Sequence, residues 1–196
     1  MEIIDDFIPL KEQLELFKYV SDSKFPYRIY KTHIEEDAVT KPGFHSPDQF
    51  THHLYFTGEE NSSPHLGIIR PIFDRLNKMF PNTTLLRAKV NLTTPTPPYR
   101  NYEPQIPHVD MKYDNGDPVP HMVCLYYINN TDGPTYFFDK NERIIKGVQP
   151  KQGRAIIFSG DKLHAGSNPV HYPYRFALNI NFQKASQRGW QNPPNN

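Results

Sequence analysis

The chain has 196 residues, 22 Lys and Arg against 21 Asp and Glu, and a formal net charge of +1. This length favours one domain that can bury a full core and a ligand pocket, and the balanced charge gives no reason to expect a nucleic acid as the partner. The single cysteine, Cys124, excludes an intramolecular disulfide framework and suits a reducing compartment.

The amino-terminal part of the chain predicts a soluble, cytoplasmic protein. It has neither the basic region nor the apolar run of a secretory signal, and no stretch is apolar for long enough to cross a membrane. After a short strand candidate at residues 3–7, apolar residues at helical spacing predict a surface helix over residues 10–20. Residues 21–61 follow no regular period and are interpreted as loops and short strands.

A second helix is predicted after Ser63. Ser63 and Pro64 have the pattern of an N-cap followed by proline at the first helical position, and apolar residues follow at helix-like intervals up to Phe80. Pro71 lies inside this run and is expected to kink or shorten the helix.

Beyond residue 82 the apolar period changes to two, which predicts strands separated by turns rich in Asn, Asp, Gly and Pro. The predicted strands are 84–92, 122–128, 135–138, 143–148, 154–158 and 175–182. Helices followed by many short strands indicate an α+β, β-dominated fold with a barrel or jelly roll as its core. We expect a single domain over residues 1–190, with the barrel at about 83–183 and a tail at 191–196.

The tripeptide His108-Val109-Asp110 is the first candidate for a metal site. Residues i and i+2 of an extended segment point to the same side, so His108 and Asp110 can bind one ion together. A motif this short also occurs in solvated loops, so it indicates a metal site only together with a further ligand elsewhere in the chain.

A second histidine and an arginine complete the pattern. Residues 153–166 form an apolar strand and a tight glycine turn before His164, which places this histidine at a strand end, although a histidine hydrogen-bonded at a turn is the alternative. Two imidazoles and one carboxylate occupy one face of an octahedral ion and leave the other open, as in the facial triad of non-heme Fe(II) oxygenases. Arg175, on the next predicted strand, supplies a fixed cation for a co-substrate carboxylate.

Two strands carry further candidates. The strand that begins at Arg175 alternates an apolar face with a face that carries Asn179 and Asn181, and this second face meets either solvent or a barrel cavity with Asn179 near the metal. In the strand 122–128, one of the adjacent tyrosines Tyr126 and Tyr127 points inward, where its phenol can donate to a carboxylate beside Arg175. A core tyrosine whose hydroxyl is satisfied elsewhere is the alternative.

Taken in order, these motifs resemble the 2-oxoglutarate and Fe(II)-dependent dioxygenases, especially the prolyl-hydroxylase-like branch and phage-encoded oxygenases of the same type. The motifs are His108-Val109-Asp110, Cys124 to Asn129, Asp132 to Thr135, Gly153 to Phe158, His164 and Tyr174 to Ala177. The resemblance covers about the last half of the chain. It implies a double-stranded β-helix, a cupin-like jelly-roll barrel with the amino-terminal helices packed on one sheet.

By this resemblance, His108, Asp110 and His164 bind iron, and Arg175 and Tyr127 bind the distal carboxylate of 2-oxoglutarate. The resemblance also implies that O2 and 2-oxoglutarate are consumed, giving succinate and CO2 while a substrate C–H bond is hydroxylated. Ascorbate is expected to stimulate such a reaction.

Two departures from the family pattern concern the co-substrate. Asp132-Gly133-Pro134 stands where the family usually has Gly-Gly before the threonine, which we interpret as a turn variation. A long loop at residues 93–107 precedes the metal motif and leaves the contact to the keto-acid end of 2-oxoglutarate unassigned. Arg87 and Asn91, on one face of their strand, are the candidates, and Asn179 is a further candidate for co-substrate binding.

Family membership does not determine the substrate. A prolyl residue in a peptide or protein is favoured, with a small molecule or a nucleobase as alternatives. Residues 25–60 and the surroundings of the metal motif are expected to supply a lid or a substrate wall, unless they are only polar surface loops. The residues in question near the metal motif are Tyr99, Arg100, Tyr102 and Tyr113.

Two hypotheses from other classes remain open. One is a cupin-like binding module without redox chemistry, and the other is a hydrolase that uses zinc at the same ligands. Both are disfavoured because neither role needs a keto-acid clamp formed by Arg175 and Tyr127.

Overall fold

The structure is a computed structural model of the chain, and it describes residues 1–30, 49–95 and 102–187. The predicted tail at 191–196 and two of the predicted wall residues, Tyr99 and Arg100, lie outside the described residues.

In these ranges the chain forms two α-helices and ten strands. The helices are α1 (Leu10–Val20) and α2 (Arg70–Met79), with 3₁₀ turns at Leu66–Ile69 and Ala185–Gln187. The strands are β1 (Glu2–Ile4), β2 (Arg28–Tyr30), β3 (Gln49–Phe56), β4 (Thr84–Thr93), β5 (Met122–Tyr127), β6 (Thr135–Phe138), β7 (Ile144–Val148), β8 (Ala155–Ser159), β9 (His164–Gly166) and β10 (Arg175–Gln183). Neither helix has the length and apolar character needed to cross a membrane.

Helix α2 begins later than the sequence predicted. Residues 66–69 form a 3₁₀ turn, and the α-helix starts at Arg70 with Pro71 in its first turn. Proline is tolerated there because the first N–H groups of a helix have no partner inside it. Ser63 instead belongs to the preceding turn, where its hydroxyl accepts from the N–H of His65 at 3.1 Å. Of the two expected effects of Pro71, the structure shows the shorter helix.

The strands form two antiparallel sheets. The larger sheet has seven strands in the order β1-β8-β5-β10-β4-β3-β2, and the smaller has three in the order β7-β6-β9. Each of the six strands predicted beyond residue 82 is present, with its ends displaced by at most one residue. The longest strand that the sequence pattern did not reveal is β3, whose register shifts between His53 and Tyr55 and so breaks the alternation.

The helices cover the outer face of the larger sheet. Leu16 of α1 and Ile72 of α2 share one buried cluster with Val90, Leu178 and Ile180 of the sheet. Burying these apolar side chains on both sides of the contact is the main favourable term that holds the helices in place.

The inner face of the larger sheet meets the smaller sheet. Tyr127 and Ala177 pack in a second buried cluster with Phe137 and Val148 from β6 and β7. Strand β10 is buried along its whole length, so its polar face lies between the sheets and not in solvent. The prediction of a β-dominated α+β barrel with helices on one sheet is therefore confirmed.

Candidate active site

The three predicted metal ligands come together between the two sheets. One ligand atom from each of His108, Asp110 and His164 lies within 4.8 Å of the other two. The backbones of His108 and His164 exchange two hydrogen bonds, each of 3.0 Å, so the loop that carries the first histidine is tied to β9. Strand β9 is held in turn by β6, where Phe137 pairs with His164.

The backbone also sets which nitrogen of each histidine is available. His108 Nδ1 lies 3.1 Å from the carbonyl of Ile106, and His164 Nδ1 lies 2.9 Å from the carbonyl of Lys162. Because a carbonyl only accepts, each Nδ1 carries the proton and donates it. In the neutral form of each ring, Nε2 then carries the lone pair with which imidazole binds a metal.

The carboxylate of Asp110 is surrounded by donors. Its side chain is 1 % exposed and accepts from Arg87 Nη2 at 2.7 Å, from Asn179 Nδ2 at 3.1 Å to both oxygens and from Asn181 Nδ2 at 2.9 Å. Burial alone would raise the pKa of Asp110, but the positive charge of Arg87 and the two neighbouring imidazoles hold this pKa well below its usual value. Asp110 is therefore ionised at neutral pH.

His108 is neutral at the same pH. Among the three ligands it has the most exposed surface, but the protein atoms around its ring, together with His164, lower the pKa of His108 to about 4. One carboxylate and two imidazoles, oriented by their own hydrogen-bond partners, fit a divalent ion such as Fe(II).

Arg175 lies at the other end of the same cavity. It is 5 % exposed, and it donates from Nε to the carbonyl of Gly133 at 3.0 Å and from Nη2 to Thr135 Oγ1 at 2.9 Å. Within the described part of the chain no carboxylate pairs with this guanidinium. Because a buried charge without a counter-charge is costly, Arg175 is suited to bind an anion that enters the cavity.

Tyr127 lies behind Arg175 and does not line the cavity. The guanidinium carbon of Arg175 is 5.3 Å from the centre of the Tyr127 ring, and the phenol donates to Thr135 Oγ1 at 2.7 Å. The Thr135 oxygen thus accepts from both residues, which leaves its own hydroxyl proton to face the cavity. Tyr127 therefore acts on a ligand through Thr135 and Arg175, whereas the sequence suggested a direct donor.

Arg87 also has a different place from the one that the sequence suggested. It donates from Nε to Asn181 Oδ1 at 2.8 Å and from Nη2 to Asp110, so it holds a metal ligand in place and does not line the cavity. Asn91 does line it and accepts from Thr51 Oγ1 at 3.1 Å. Asn179 lines the cavity as well, and its Nδ2 is engaged by Asp110.

Several cavity residues were not assigned from the sequence. They are Gln49, Lys89, Thr93, Gln105, Leu125, Thr135, Gly166 and Ala177. A signal was available for Lys89, because it shares the strand face of Arg87 and Asn91, and for Thr135, which belongs to one of the motifs. Gln105 carried no signal that distinguishes it from other loop residues.

One wall of the cavity is a chain of side-chain amides. Gln49 Nε2 donates to Gln105 Oε1 at 2.7 Å, and Gln105 Nε2 donates to Asn168 Oδ1 at 2.8 Å. Asn168 Nδ2 then donates to the carbonyl of Thr94 at 2.8 Å. These bonds join β3 to the loops before His108 and after β9, so they fix the wall next to the metal ligands.

The Asp132-Gly133-Pro134 turn supports Arg175. Gly133 has a φ of +89°, and a Cβ built on it would lie 2.8 Å from the carbonyl oxygen of Ser167, so glycine is required here. Asp132 accepts from the N–H groups of Val170 and His171 at 3.1 and 2.7 Å. The turn variation therefore ties this segment to the loop that leads into β10.

The two predicted wall residues within the described ranges do not line the cavity. Tyr102 donates from its hydroxyl to Asp132 Oδ2 at 3.1 Å. Tyr113 packs against a small cluster formed by Leu86, Met111 and Val119. Both side chains therefore support loops beside the site.

Comparisons with known proteins agree with this geometry. Residues 99–183 match the family model described as the 2OG-Fe(II) oxygenase superfamily. No curated protein matches the chain. Solved structures share its fold at low sequence identity. A prolyl-4-hydroxylase from Pseudomonas putida has a TM-score of 0.57 and 13 % identity, covering 93 % of this chain and 91 % of that one.

Two further structures show how widely the fold is used. The viral collagen prolyl hydroxylase of Paramecium Bursaria Chlorella virus-1, solved as a 2-oxoglutarate complex, has a TM-score of 0.57 and 15 % identity, covering 92 % of this chain and 94 % of that one. The epimerase SnoN, solved with Fe3+, α-ketoglutarate and nogalamycin RO, has a TM-score of 0.62 and 9 % identity, covering 93 % of this chain and 78 % of that one. These likenesses confirm the double-stranded β-helix.

The family-model match covers the part of the chain that carries the motifs and agrees with the resemblance seen in the sequence. The His-Asp-His cluster fits the metal of this family. Residues 99–183 thus match the 2OG-Fe(II) oxygenase superfamily, and the metal-ligand cluster and Arg175 lie within this matched segment.

Proposed function

We propose that the chain is an Fe(II)- and 2-oxoglutarate-dependent oxygenase. It hydroxylates a substrate C–H bond, with one oxygen atom of O2 entering the product and the other entering succinate as 2-oxoglutarate loses CO2. The observation that carries the proposal is a single cavity lined both by His108 and His164 of the metal cluster and by the buried cation of Arg175. A dicarboxylic keto acid that binds a metal through one end needs both features.

His108, Asp110 and His164 would hold the ion by two neutral nitrogens and one carboxylate oxygen. Three protein ligands leave the opposite face of an octahedral ion for the keto acid and O2. When bound, Fe(II) supplies the activation of O2, which no side chain of the protein can supply. The protein contributes the position and charge of the ligands, and Arg87, Asn179 and Asn181 contribute by holding the Asp110 carboxylate.

Arg175 and Thr135 would bind the distal carboxylate. The guanidinium is fixed by the Gly133 carbonyl and by Thr135, so little side-chain entropy remains to be lost when an anion binds. Tyr127 positions this pair from behind. Leu125 and Ala177 supply apolar wall to the cavity and limit the access of water.

We propose a prolyl residue in a peptide or protein as the substrate. Two prolyl hydroxylases of the same fold support this choice, together with the sequence motifs of that branch. A small-molecule substrate is the second candidate, and the likeness to SnoN over 93 % of this chain favours it. An inactive binding module and a zinc hydrolase have no use for the Arg175 cation in the metal cavity, which pairs with no carboxylate among the described residues.

Succinate release tests the activity. The wild type is incubated with 2-oxoglutarate, Fe(II), ascorbate and a panel of prolyl peptides, and compared with His108→Ala and Arg175→Ala. We expect both variants to lose turnover. Arg143→Ala is the matched control, because Arg143 is an exposed arginine that pairs only with Asp139 among the described residues.

Mass spectrometry of a cell extract then identifies the substrate by a gain of one oxygen atom. An oxidised prolyl peptide supports the first candidate, and an oxidised metabolite supports the second. A wild type that neither binds 2-oxoglutarate nor releases succinate with any substrate would instead favour a binding module.

A further inference from the structure

Lys89 is a second cation in the cavity, and it lies at the metal end. On β4 it stands between Arg87 and Asn91 on the same strand face, and it lines the cavity together with His108, His164 and Arg175. Its partner across β10 is Asn179, the residue that donates to both oxygens of the Asp110 carboxylate at 3.1 Å.

The described part of the chain offers Lys89 no free counter-charge. Asp110 is the carboxylate whose charge acts on the Lys89 ammonium. The oxygens of Asp110 already accept hydrogen bonds from Arg87 at 2.7 Å and from the side-chain amides of Asn179 and Asn181. Burial and the charge of Arg87 lower the pKa of Lys89 to about 8, which still leaves the ammonium mostly charged at neutral pH. A desolvated ammonium of this kind is stabilised by an incoming anion.

The register of the sheet separates the two cations along the cavity. Arg175 is paired with Thr93 and Asn179 with Lys89, so the two positions are four residues, or about 13 Å of strand, apart. Arg175 and Lys89 thus stand at opposite ends of one cavity, with the metal ligands beside Lys89. This is the arrangement that a short dicarboxylic acid needs.

We propose that Lys89 binds the carboxylate next to the keto group of 2-oxoglutarate, while Arg175 binds the distal carboxylate. This inference rests on the proposed function, because it takes 2-oxoglutarate as the occupant of the cavity. Lys89 thus takes the contact to the keto-acid end of 2-oxoglutarate, for which the sequence offered Arg87 and Asn91 as candidates. Lys89 thereby selects acids whose carboxylate adjoins the metal-binding keto group.

Two probes separate the two ends of the co-substrate. Binding is measured by calorimetry without O2, with Mn(II) in place of Fe(II), for 2-oxoglutarate and for pyruvate, a keto acid that lacks the distal carboxylate. Lys89→Met is expected to weaken both probes by roughly tenfold or more, the effect of losing a hydrogen bond between charged groups. Arg175→Met is expected to weaken 2-oxoglutarate by a similar factor and to leave pyruvate unchanged.

Three controls keep the inference distinct from a structural role. Lys146→Met changes an exposed lysine on β7 and should leave both affinities unchanged. Lys89→Arg keeps the charge and should keep most of the affinity. If Lys89→Met fails to fold, Lys89→Gln takes its place, because it also removes the charge and should weaken both probes. The affinity of the protein for Mn(II) alone should be the same in Lys89→Met as in the wild type.

The inference is overturned if Lys89→Met binds both probes as the wild type does, or if its loss follows a loss of Mn(II) binding. That result leaves the proposed function intact as long as Arg175→Met still weakens 2-oxoglutarate. A wild type that does not bind 2-oxoglutarate at all overturns the proposed function together with the inference.

Discussion

Arg87 and Asp110 form an ion pair of 2.7 Å that is nearly closed off from solvent, with side chains 13 % and 1 % exposed. The pair joins the larger sheet to the loop that carries the metal ligands, because Arg87 lies on β4 and Asp110 follows His108. Arg87 is also hydrogen-bonded to Asn181 of β10. A metal ligand is thus held by two neighbouring strands before any ion binds.

Replacing Arg87 with methionine is expected to leave Asp110 buried without its counter-charge. Breaking one partner of a buried pair is strongly destabilising, and the two asparagine donors offset part of the loss, so we expect the free energy of unfolding to fall by about 2 to 4 kcal/mol. The affinity for Mn(II) should fall roughly 10- to 100-fold, since the ligand loses its orienting partner.

Urea unfolding and calorimetric titration with Mn(II) measure the two effects of Arg87→Met. Arg143→Met is the control, because its ion pair with Asp139 is exposed and such pairs contribute about 0 to 1 kcal/mol. Equal losses of stability in the two variants would show that the Arg87 pair does not hold the site.

Acid is expected to weaken the metal-free fold through His108. Its pKa is lowered from 6.5 to about 4 in the folded chain, so the unfolded chain takes up this proton at higher pH. The free energy of unfolding therefore falls as the pH drops from about 6.5 to about 4, and this contribution then levels off. Asp110 acts at lower pH, because its stabilising effect is lost only below its ordinary pKa of 3.8.

Stability measured against pH in the metal-free protein tests this for His108. His108→Gln should flatten the slope between pH 6.5 and 4 and should also remove Mn(II) binding. His53→Gln is the control, because burial lowers the pKa of His53 to about 4 as well, so it should flatten the same slope and leave Mn(II) binding intact. A wild-type slope in His108→Gln would contradict the prediction.

The barrel and the metal cluster could be predicted because both depend on short-range pattern. Alternation of period two locates β4 and β10 to within a residue, and the i, i+2 spacing of His108 and Asp110 sets both side chains on one side of an extended segment. His164 follows from a glycine turn at a strand end. These features need no knowledge of what packs against them.

The roles of Arg87 and Lys89 could not be predicted because they depend on depth and on partners across the sheet. The strand pattern places both residues on the inward face with Asn91, but only the register shows that Asn181 lies opposite Arg87 and Asn179 opposite Lys89. That one of Tyr126 and Tyr127 points inward was predictable from the alternation of the strand. The position of Thr135 between Tyr127 and the cavity could not be predicted, because the hydrogen bond from Tyr127 to Thr135 joins β5 to β6.

Gly133→Ala is expected to damage the support of Arg175. The added Cβ meets the Ser167 carbonyl at 2.8 Å, and the φ of +89° is unfavourable for alanine, so we expect a loss of about 2 to 3 kcal/mol of stability. The Gly133 carbonyl accepts from Arg175 Nε, so the affinity for 2-oxoglutarate should also fall.

Gly116→Ala separates the two causes of the loss in Gly133→Ala. Gly116 has a similar φ of +86° but no atom within 4 Å of an added Cβ, so it should lose only about 1 kcal/mol through the backbone conformation. Thermal unfolding and calorimetry with 2-oxoglutarate make the comparison. If the two alanine variants are equally stable and bind equally well, the contact with Ser167 has no role.

The adjacent tyrosines of β5 are expected to respond in opposite ways to the loss of a hydroxyl. The Tyr127 hydroxyl donates to Thr135 Oγ1 at 2.7 Å beside Arg175, so Tyr127→Phe should lose about 1 kcal/mol of stability and several-fold in affinity for 2-oxoglutarate. The buried Tyr126 hydroxyl has no hydrogen-bond partner among the described residues. Tyr126→Phe should therefore be neutral or stabilising, since it removes a buried polar atom that is not satisfied, and it should leave the affinity unchanged. Urea unfolding measures the stability of both variants, and calorimetry measures their affinity for 2-oxoglutarate. An equal loss of affinity in Tyr126→Phe and Tyr127→Phe would mean that β5 as a whole, and not the Tyr127 hydroxyl, supports the carboxylate site.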